Sequence, residues 1–484
     1  MYNLRKHLVP FVSLILIGLT TASCSKDFLE IDPKGYLIAQ KTADYDLMLN
    51  DPTLSVISSV SHIVMSDEVA ASSSYFPSVS LPHQNAFRWK DDIYQSSDKT
   101  VELTYLVKQI YIYNKVINEV MASQGGSEKQ KQALRAEALA GRAWCNFILA
   151  NYYGKPYQAS TAGTDLAAYL ATEANVTNTS FERATVQATY ESIIEDLKTA
   201  IPLLPNVAVA TSRMSQPAAE ALLAKVYVSM GTFDQALVLL ESALTKLTQT
   251  GRADLYDLNV EFAPGGIYFP INPYFGPLRT TPRQHREIVL LRYSPTYYSY
   301  FVSALVMAPQ TAALYGQTDT RLHFSSVNPF GEFDKVYPLG MRRGQGKTYS
   351  EMGISLADIY LLQAECLSRL GNTTAAVQVL TAFRSKRMPM ADAPVPAHIA
   401  SDQVALTEFI FQERIREFAL HGERWFDMRR LSVDPIYKHT VGQTHTLYND
   451  SGAVVEVYTL KPERLTFRFP QYIMAANPEM QQNP

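Results

Sequence analysis

Residues 216 to 244 read QPAAEALLAKVYVSMGTFDQALVLLESAL, and residues 355 to 383 read SLADIYLLQAECLSRLGNTTAAVQVLTAF. Laid over one another at an offset of 140 residues, Ala364, Gly371, Ala376 and Leu380 fall on Ala224, Gly231, Ala236 and Leu240. Each stretch predicts two amphipathic helices joined by a tight turn, because apolar residues recur at helical spacing on both sides of the glycine. The alanines stand where two antiparallel helices must touch, and Tyr227 and Phe233 offer an aromatic wedge beside the turn. Four coincidences at one offset point to a repeated hairpin.

That arrangement is the pattern of a tetratricopeptide repeat, and such repeats need about three units to bury a continuous face. Further stretches supply them. Residues 101–121 and 127–153 both carry apolar residues at helical spacing. So do residues 185–204, stopped by Pro205. The expected fold is mainly α, a tetratricopeptide-like scaffold of about four helical hairpins with insertions between them.

The segment from Phe262 to Gly346 breaks the pattern. It holds 9 of the 26 prolines and 8 of the 22 glycines, so it cannot be helix throughout. Within it, residues 262–301 carry ten aromatics in 40 residues, a quarter against 11% for the whole chain. Irregular segments of this length carry function or are disordered, and the aromatic content argues against disorder. Residues 55–85 are similarly irregular and rich in serine.

The N-terminus predicts export. Arg5 and Lys6 precede a 12-residue apolar run, Leu8 to Leu19, too short to span a membrane and suited to a secretory signal. Thr21, Ala22 and Ser23 are small, and Cys24 follows them. A thiol in that place suits attachment of a diacylglycerol before cleavage, so the mature chain is expected to begin at a lipidated Cys24. Two or three acyl chains anchor firmly, at about 0.8 kcal/mol per buried methylene. Removal of residues 1–23 leaves 41 basic against 46 acidic residues, a net charge of −5, which disfavours nucleic acid as a partner. Cys145 and Cys366 lie in apolar helical stretches; buried free thiols are the expectation, with a bridge left open. Two cysteines are too few for a disulfide scaffold, so the core must come from packing.

Residues 408–431, EFIFQERIREFALHGERWFDMRRL, invite an enzymatic reading. Glu413 and Glu417 lie four apart on a helix, roughly 5–6 Å between Cβ atoms. Retaining glycosidases use two carboxyls about 5–5.5 Å apart. Arg414, Arg416, Arg424, Arg429 and Arg430 crowd the same stretch and would lower both carboxyls, whereas a general acid needs a raised one. An ion-pair network is the expectation, and the chain is read as no enzyme. Signatures of hydrolases, nucleotide binding and metal binding are missing, and the loop trio His62, Asp67 and Glu68 is weak. No cofactor and no metal are expected.

Five segments in order resemble one family, the SusD/RagB outer-membrane lipoproteins that partner a SusC-like TonB-dependent transporter. CSKDFLEIDPKG at 24–35 is similar to the family's start. ALAGRAWCNFILANYYGKPY at 138–157 and RATVQATYESIIEDLKTAIPLLP at 183–205 resemble its helical signatures. IREFALHGERWFDMRR at 415–430 resembles its E-F-x-x-E-G-x-R-W motif, with His421 for glutamate and Met428 for leucine. FRFPQYIMAANPEMQQNP at 467–484 is similar to its close. The resemblance implies a helical scaffold with a loop-rich insert as the ligand face. It also implies lipid tethering to the outer membrane, exposure at the cell surface, and capture of an oligosaccharide, or in some members a peptide, for the transporter. The divisions expected are a signal at 1–23, a helical part at 24–255, the aromatic insert at 256–346 and a C-terminal part at 347–484, together one compact unit. A repeat scaffold for outer-membrane assembly is a further alternative.

Sugar rings present apolar faces edged with hydroxyls, which aromatic platforms and polar side chains match. Trp144 and Trp425 lie in helical motifs and are expected in the core. Trp89, in NAFRWKDDIY at 85–94 beside Asn85 and Arg88, is the candidate platform. Tyr268, Tyr274, Tyr297 and Tyr298, with Phe275 and Tyr300 beside them, are the candidates in the insert.

Overall fold

The computed structural model describes residues 39–57, 59–175, 181–278, 281–295, 303–346 and 349–484. Cys24, Tyr297, Tyr298 and Tyr300 lie outside the described residues. The chain is built on helices: α1 (Thr42–Leu49), α2 (Leu81–Phe87), α3 (Val101–Glu119), α4 (Glu128–Tyr153), α5 (Val186–Ala200), α6 (Gln216–Met230), α7 (Phe233–Gln249), α8 (Leu356–Arg369), α9 (Thr373–Arg384), α10 (Gln403–Phe418) and α11 (Glu423–Ser432).

The two repeats form as matching hairpins, α6–α7 and α8–α9. Each opens on a serine cap: Ser215 Oγ accepts from the Ala218 amide at 3.4 Å, and Ser355 Oγ from the Asp358 amide at 3.2 Å. Each turns on a left-handed glycine, Gly231 at φ 77° and Gly371 at φ 81°. The amide after each glycine bonds back five residues, Thr232 to Tyr227 O and Asn372 to Leu367 O, which satisfies carbonyls the helix end leaves bare. Ala224, Ala236, Leu240, Ala364, Ala376 and Leu380 are all fully buried. The coincidence read in the sequence is therefore a coincidence of packing. α3 packs on α4, α4 on α5, α5 on α6 and α7 on α8, and α10 closes the stack against α8. This is a tetratricopeptide-like scaffold.

The family-like motifs, far apart in sequence, converge. Arg183 donates to Ala167 O, Tyr153 O, Gln481 O and Asn483 Oδ1. Asn483 Nδ2 donates in turn to Tyr153 O and Phe467 O. Arg429 reaches the carbonyls of Gly154 and Leu465. Trp144 and Trp425 are buried, each with its indole N–H on a backbone carbonyl, Met352 O and Asn151 O. Cys145 and Cys366 are free and buried.

The segments that lack helical periodicity contribute strands. β1 (Val69–Ser72), β2 (Leu305–Met307), β3 (Thr444–Tyr448) and β4 (Val454–Thr459) form a sheet in the order β4-β3-β1-β2. β1 pairs antiparallel with β2 and parallel with β3, and β3–β4 is a hairpin. Three short ladders fasten the insert elsewhere: 288–290 to 354–355, 293–295 to 349–351, and 325–326 to 343–344. One apolar core cluster runs from Tyr45 to Phe469. Among the described residues no helix is long and apolar enough to cross a membrane, and no three or more His, Cys, Asp or Glu side chains are grouped so as to hold a metal ion.

Candidate ligand-binding surface

The insert raises an aromatic cluster to the surface on two loops. In the first, Asn272 and Gly276 exchange backbone hydrogen bonds at 2.7 Å, and Asn272 Oδ1 accepts from the Tyr274 and Phe275 amides at 2.8 and 2.9 Å. This tight Asx-type turn holds the two rings at its tip. The second loop, 328–337, is closed by Asn328 Nδ2 on Lys335 O at 2.7 Å and by the Tyr337 amide on Val327 O at 2.8 Å. It carries Phe330 and Phe333.

Tyr274 is the hub. Its ring lies 4.7 Å from Phe275, 4.9 Å from Phe330 and 5.3 Å from Phe333, centroid to centroid and inclined, the geometry aromatic quadrupoles favour. Phe275 and Phe333 are 46% and 55% exposed. Phe269, nearby in sequence, is also open to solvent. An exposed group of large rings is costly to keep in water, and such patches mark interaction sites.

One buried cation fixes both loops. Arg343 donates through Nε to Asn328 O at 2.8 Å and through Nη2 to Tyr274 O at 3.4 Å, and its guanidinium lies 5.4 Å from the Phe330 ring. Beside the cluster, Glu332 accepts from Tyr75 OH and pairs with Lys335, and these two partners hold its carboxyl below the usual range. The Tyr75 phenol is pushed up by burial and by Glu332.

A separate cavity of about 100 Å³ is walled by Tyr268, His285, Tyr315, Gln345 and Tyr349. Arg321, Arg387 and Arg416 reach it but are committed to ion pairs with Asp319, Glu287, Glu413 and Glu417. Glu413, one of the two carboxyls that an enzymatic reading would need, is fully buried. Burial works to raise its pKa, but Arg321, Arg416 and Arg384 outweigh that and hold it far below the carboxylate range. An ion-pair network is present as expected: Arg414 and Arg430 both pair with Asp427, and Arg414 thereby ties α10 to α11. Of the five arginines in that stretch, however, only Arg416 pairs with Glu413; Arg321, Arg384 and Arg387 come from elsewhere.

The structure separates the residues singled out from the sequence. Tyr274 and Phe275 stand in the surface cluster. Tyr268 faces inward, 4% exposed, with its hydroxyl 2.9 Å from His285 Nε2. Trp89 does not present a platform: it is 3% exposed, stacked at 3.7 Å on His445 of β3, with its N–H on Met65 O. Asn85 is buried beside it, and Arg88 reaches Tyr458 under the β3–β4 hairpin. Polar neighbours in sequence made Trp89 look exposed; β3, more than 350 residues on, covers it. Phe330 and Phe333 went unnoticed because they lie beyond the aromatic-dense window. Their signal was NPFGEFD at 328–334, two rings set among turn residues.

Two family models match the chain. One, described as "Starch-binding associating with outer membrane", takes residues 27–228, and the other, "SusD family", takes residues 311–484. SusD-like protein P38 of Formosa agariphila is 34% identical over 77 residues, a match spanning 15% of this chain and 15% of that relative. A SusD superfamily protein from Bacteroides thetaiotaomicron superposes with a TM-score of 0.68 at 19% identity, covering 92% of this chain and 100% of that one. A SusD-like carbohydrate binding protein from Bacteroides vulgatus gives 0.66 at 16% identity, covering 91% and 97%. At these identities the superpositions speak for the fold. With the two models covering most of the sequence and the fold in agreement, the chain belongs to the SusD/RagB family.

Proposed function

We propose that this protein is a non-catalytic cell-surface lipoprotein that captures an oligosaccharide and delivers it to a SusC-like TonB-dependent transporter in the outer membrane. The observation that carries the reading is the four-ring cluster of Tyr274, Phe275, Phe330 and Phe333, two of its rings about half open. Ring faces bury the apolar faces of sugars, and the carbonyls, amides and carboxylates of the flanking turns are at hand for hydroxyls. The family descriptions, which name starch binding and the outer membrane, support the same reading.

In this account the lipid on Cys24 keeps the protein at the membrane, so a captured glycan is handed on rather than lost. Glu413 and Glu417, bound by arginines, do no proton transfer. The test is a glycan array probed with the full chain, followed by product analysis of any bound glycan. Binding with the glycan left unchanged is expected; release of shortened sugars would overturn the non-catalytic role. Three of the four rings are phenylalanines without a polar handle, which equally suits apolar peptide side chains. Peptide capture is therefore the second reading, and a peptide library run beside the array decides between them.

A further inference from the structure

We propose that β4 is a homotypic docking edge, which pairs antiparallel with β4 of a second copy of this chain and joins the two sheets into one. β4 ends the sheet order, with only β3 beside it among the described residues. Its sequence is VVEVYT, and all of its residues but the half-buried Tyr458 are exposed. Val454, Val455 and Val457 stand 58%, 53% and 49% open. Sheet edges are normally guarded by proline, lysine, a bulge or an inward charge, because their unpaired N–H and C=O groups template another strand. The one irregularity of β4 sits at the start of the strand. β4 has neither proline nor lysine. Its one charge, Glu456, is engaged by Tyr458 OH at 2.6 Å.

The order of residues selects the occupant. A two-fold axis through Val457 sets Val457 opposite Val457 and Glu456 opposite the second copy's Tyr458. Each carboxylate can then exchange the Tyr458 phenol of its own strand for that of the second copy, and the β-branched residues meet each other, a favourable cross-strand pair. A shift of the axis to Glu456 would set the two carboxylates face to face and disfavour that register. Val457 and Thr459 share the solvent face with Thr446 and Thr444 of β3, so pairing extends one row of β-branched side chains across the axis. The one irregularity in the ladder, between Val454 and Glu456, leaves residues 456–459 regular. A foreign strand would satisfy the edge but would not account for this self-complementary order.

Two measurements test the proposal on the full chain carrying Cys24→Ser. Cys145 and Cys366, fully buried, stay silent to mild oxidation. In sedimentation velocity the chain is expected to dimerise reversibly and Val457→Lys to remain monomeric. Under mild oxidation Val457→Cys is expected to form a disulfide-linked dimer much faster than Val455→Cys, whose opposite number is Thr459. A monomer at the highest soluble concentration overturns the proposal, as does a dimer that Val457→Lys leaves intact, or equal linking of the two cysteine variants.

Discussion

If the aromatic cluster holds the ligand, trimming its two open rings should weaken binding by an amount the structure sets. A phenylalanine offers about 200 Å². With Phe275 at 46% and Phe333 at 55% exposed, roughly 90 and 110 Å² remain open. A sugar ring stacked on one face covers about half of that. At about 25 cal/mol per Å², Phe275→Ala should then cost ~1.1 kcal/mol and Phe333→Ala ~1.4 kcal/mol. Together they amount to about 2.5 kcal/mol, or roughly a 60- to 70-fold rise in Kd. The rings share Tyr274 as a neighbour, so a departure from additivity of about 0.5 kcal/mol or more is expected. The assay is isothermal titration of the best glycan from the array against wild type, both single variants and the double variant. Val238→Ala on α7, an exposed scaffold position, serves as the control. Circular dichroism must show the double variant folded. A folded double variant that binds within threefold of wild type would refute the placement of the site, while a wild type that binds no glycan at all would refute the substrate class instead.

Three further outcomes follow from buried charge. Arg343→Met removes the clamp between the loops and leaves carbonyls of Asn328 and Tyr274 without their donor; a loss of about 1–3 kcal/mol in denaturant melts is expected, with glycan affinity falling alongside. Glu413→Gln leaves Arg321, Arg384 and Arg416 short of a counter-charge, and about 3–5 kcal/mol should disappear. Because the folded pKa of Glu413 is depressed, the stability it contributes is present above the unfolded carboxylate range and lost as pH falls below it. The acid limb of wild-type thermal melts should therefore flatten in the variant. Glu68 shows the opposite sign. Burial pushes it up to about 8, helped by Asp67 and opposed by the Leu420 amide it accepts from at 2.9 Å. The fold favours its protonated form, so wild type should lose stability from the ordinary carboxylate range up to about pH 8, and Glu68→Gln should keep a flatter Tm there. Parallel wild-type and variant curves up to pH 9 would remove that assignment.

The scaffold was legible in the sequence for a physical reason. Where two helices touch within a hairpin, the residue that fits is decided by neighbours close in the chain. Ala224 meets α7, Ala364 meets α9, and a left-handed turn between them admits glycine, so packing leaves its mark at fixed spacing. The ion-pair network around Glu413 was legible in part: Arg416 lies in the same charged stretch, while Arg321 and Arg384 arrive from elsewhere in the chain, which no local pattern announces. The short strands were not, since β1 draws its partners from Leu305 and Thr444, and no local period announces such pairings.

The clustered rings fall between these cases. Composition showed that the insert holds too many aromatics to be disordered coil, and it pointed to Tyr274 and Phe275. It could not say which rings face out. Tyr268 and Phe269 are adjacent, yet one is buried on Phe262 and Phe324 while the other is open to water. Tyr268 is held in by His285 and Phe324, and the Tyr274 and Phe275 rings are held out by the Asn272 turn and by Arg343, about 70 residues further on, which grips carbonyls of both loops. Trp89 failed as a platform through the same cause: His445 covers it from a hairpin that no property of residues 85–94 foretells. A ring's exposure is fixed by whatever long-range partner closes over it. Local sequence therefore identifies the loops from which a binding face is made, while the distant residues that close those loops determine the face itself.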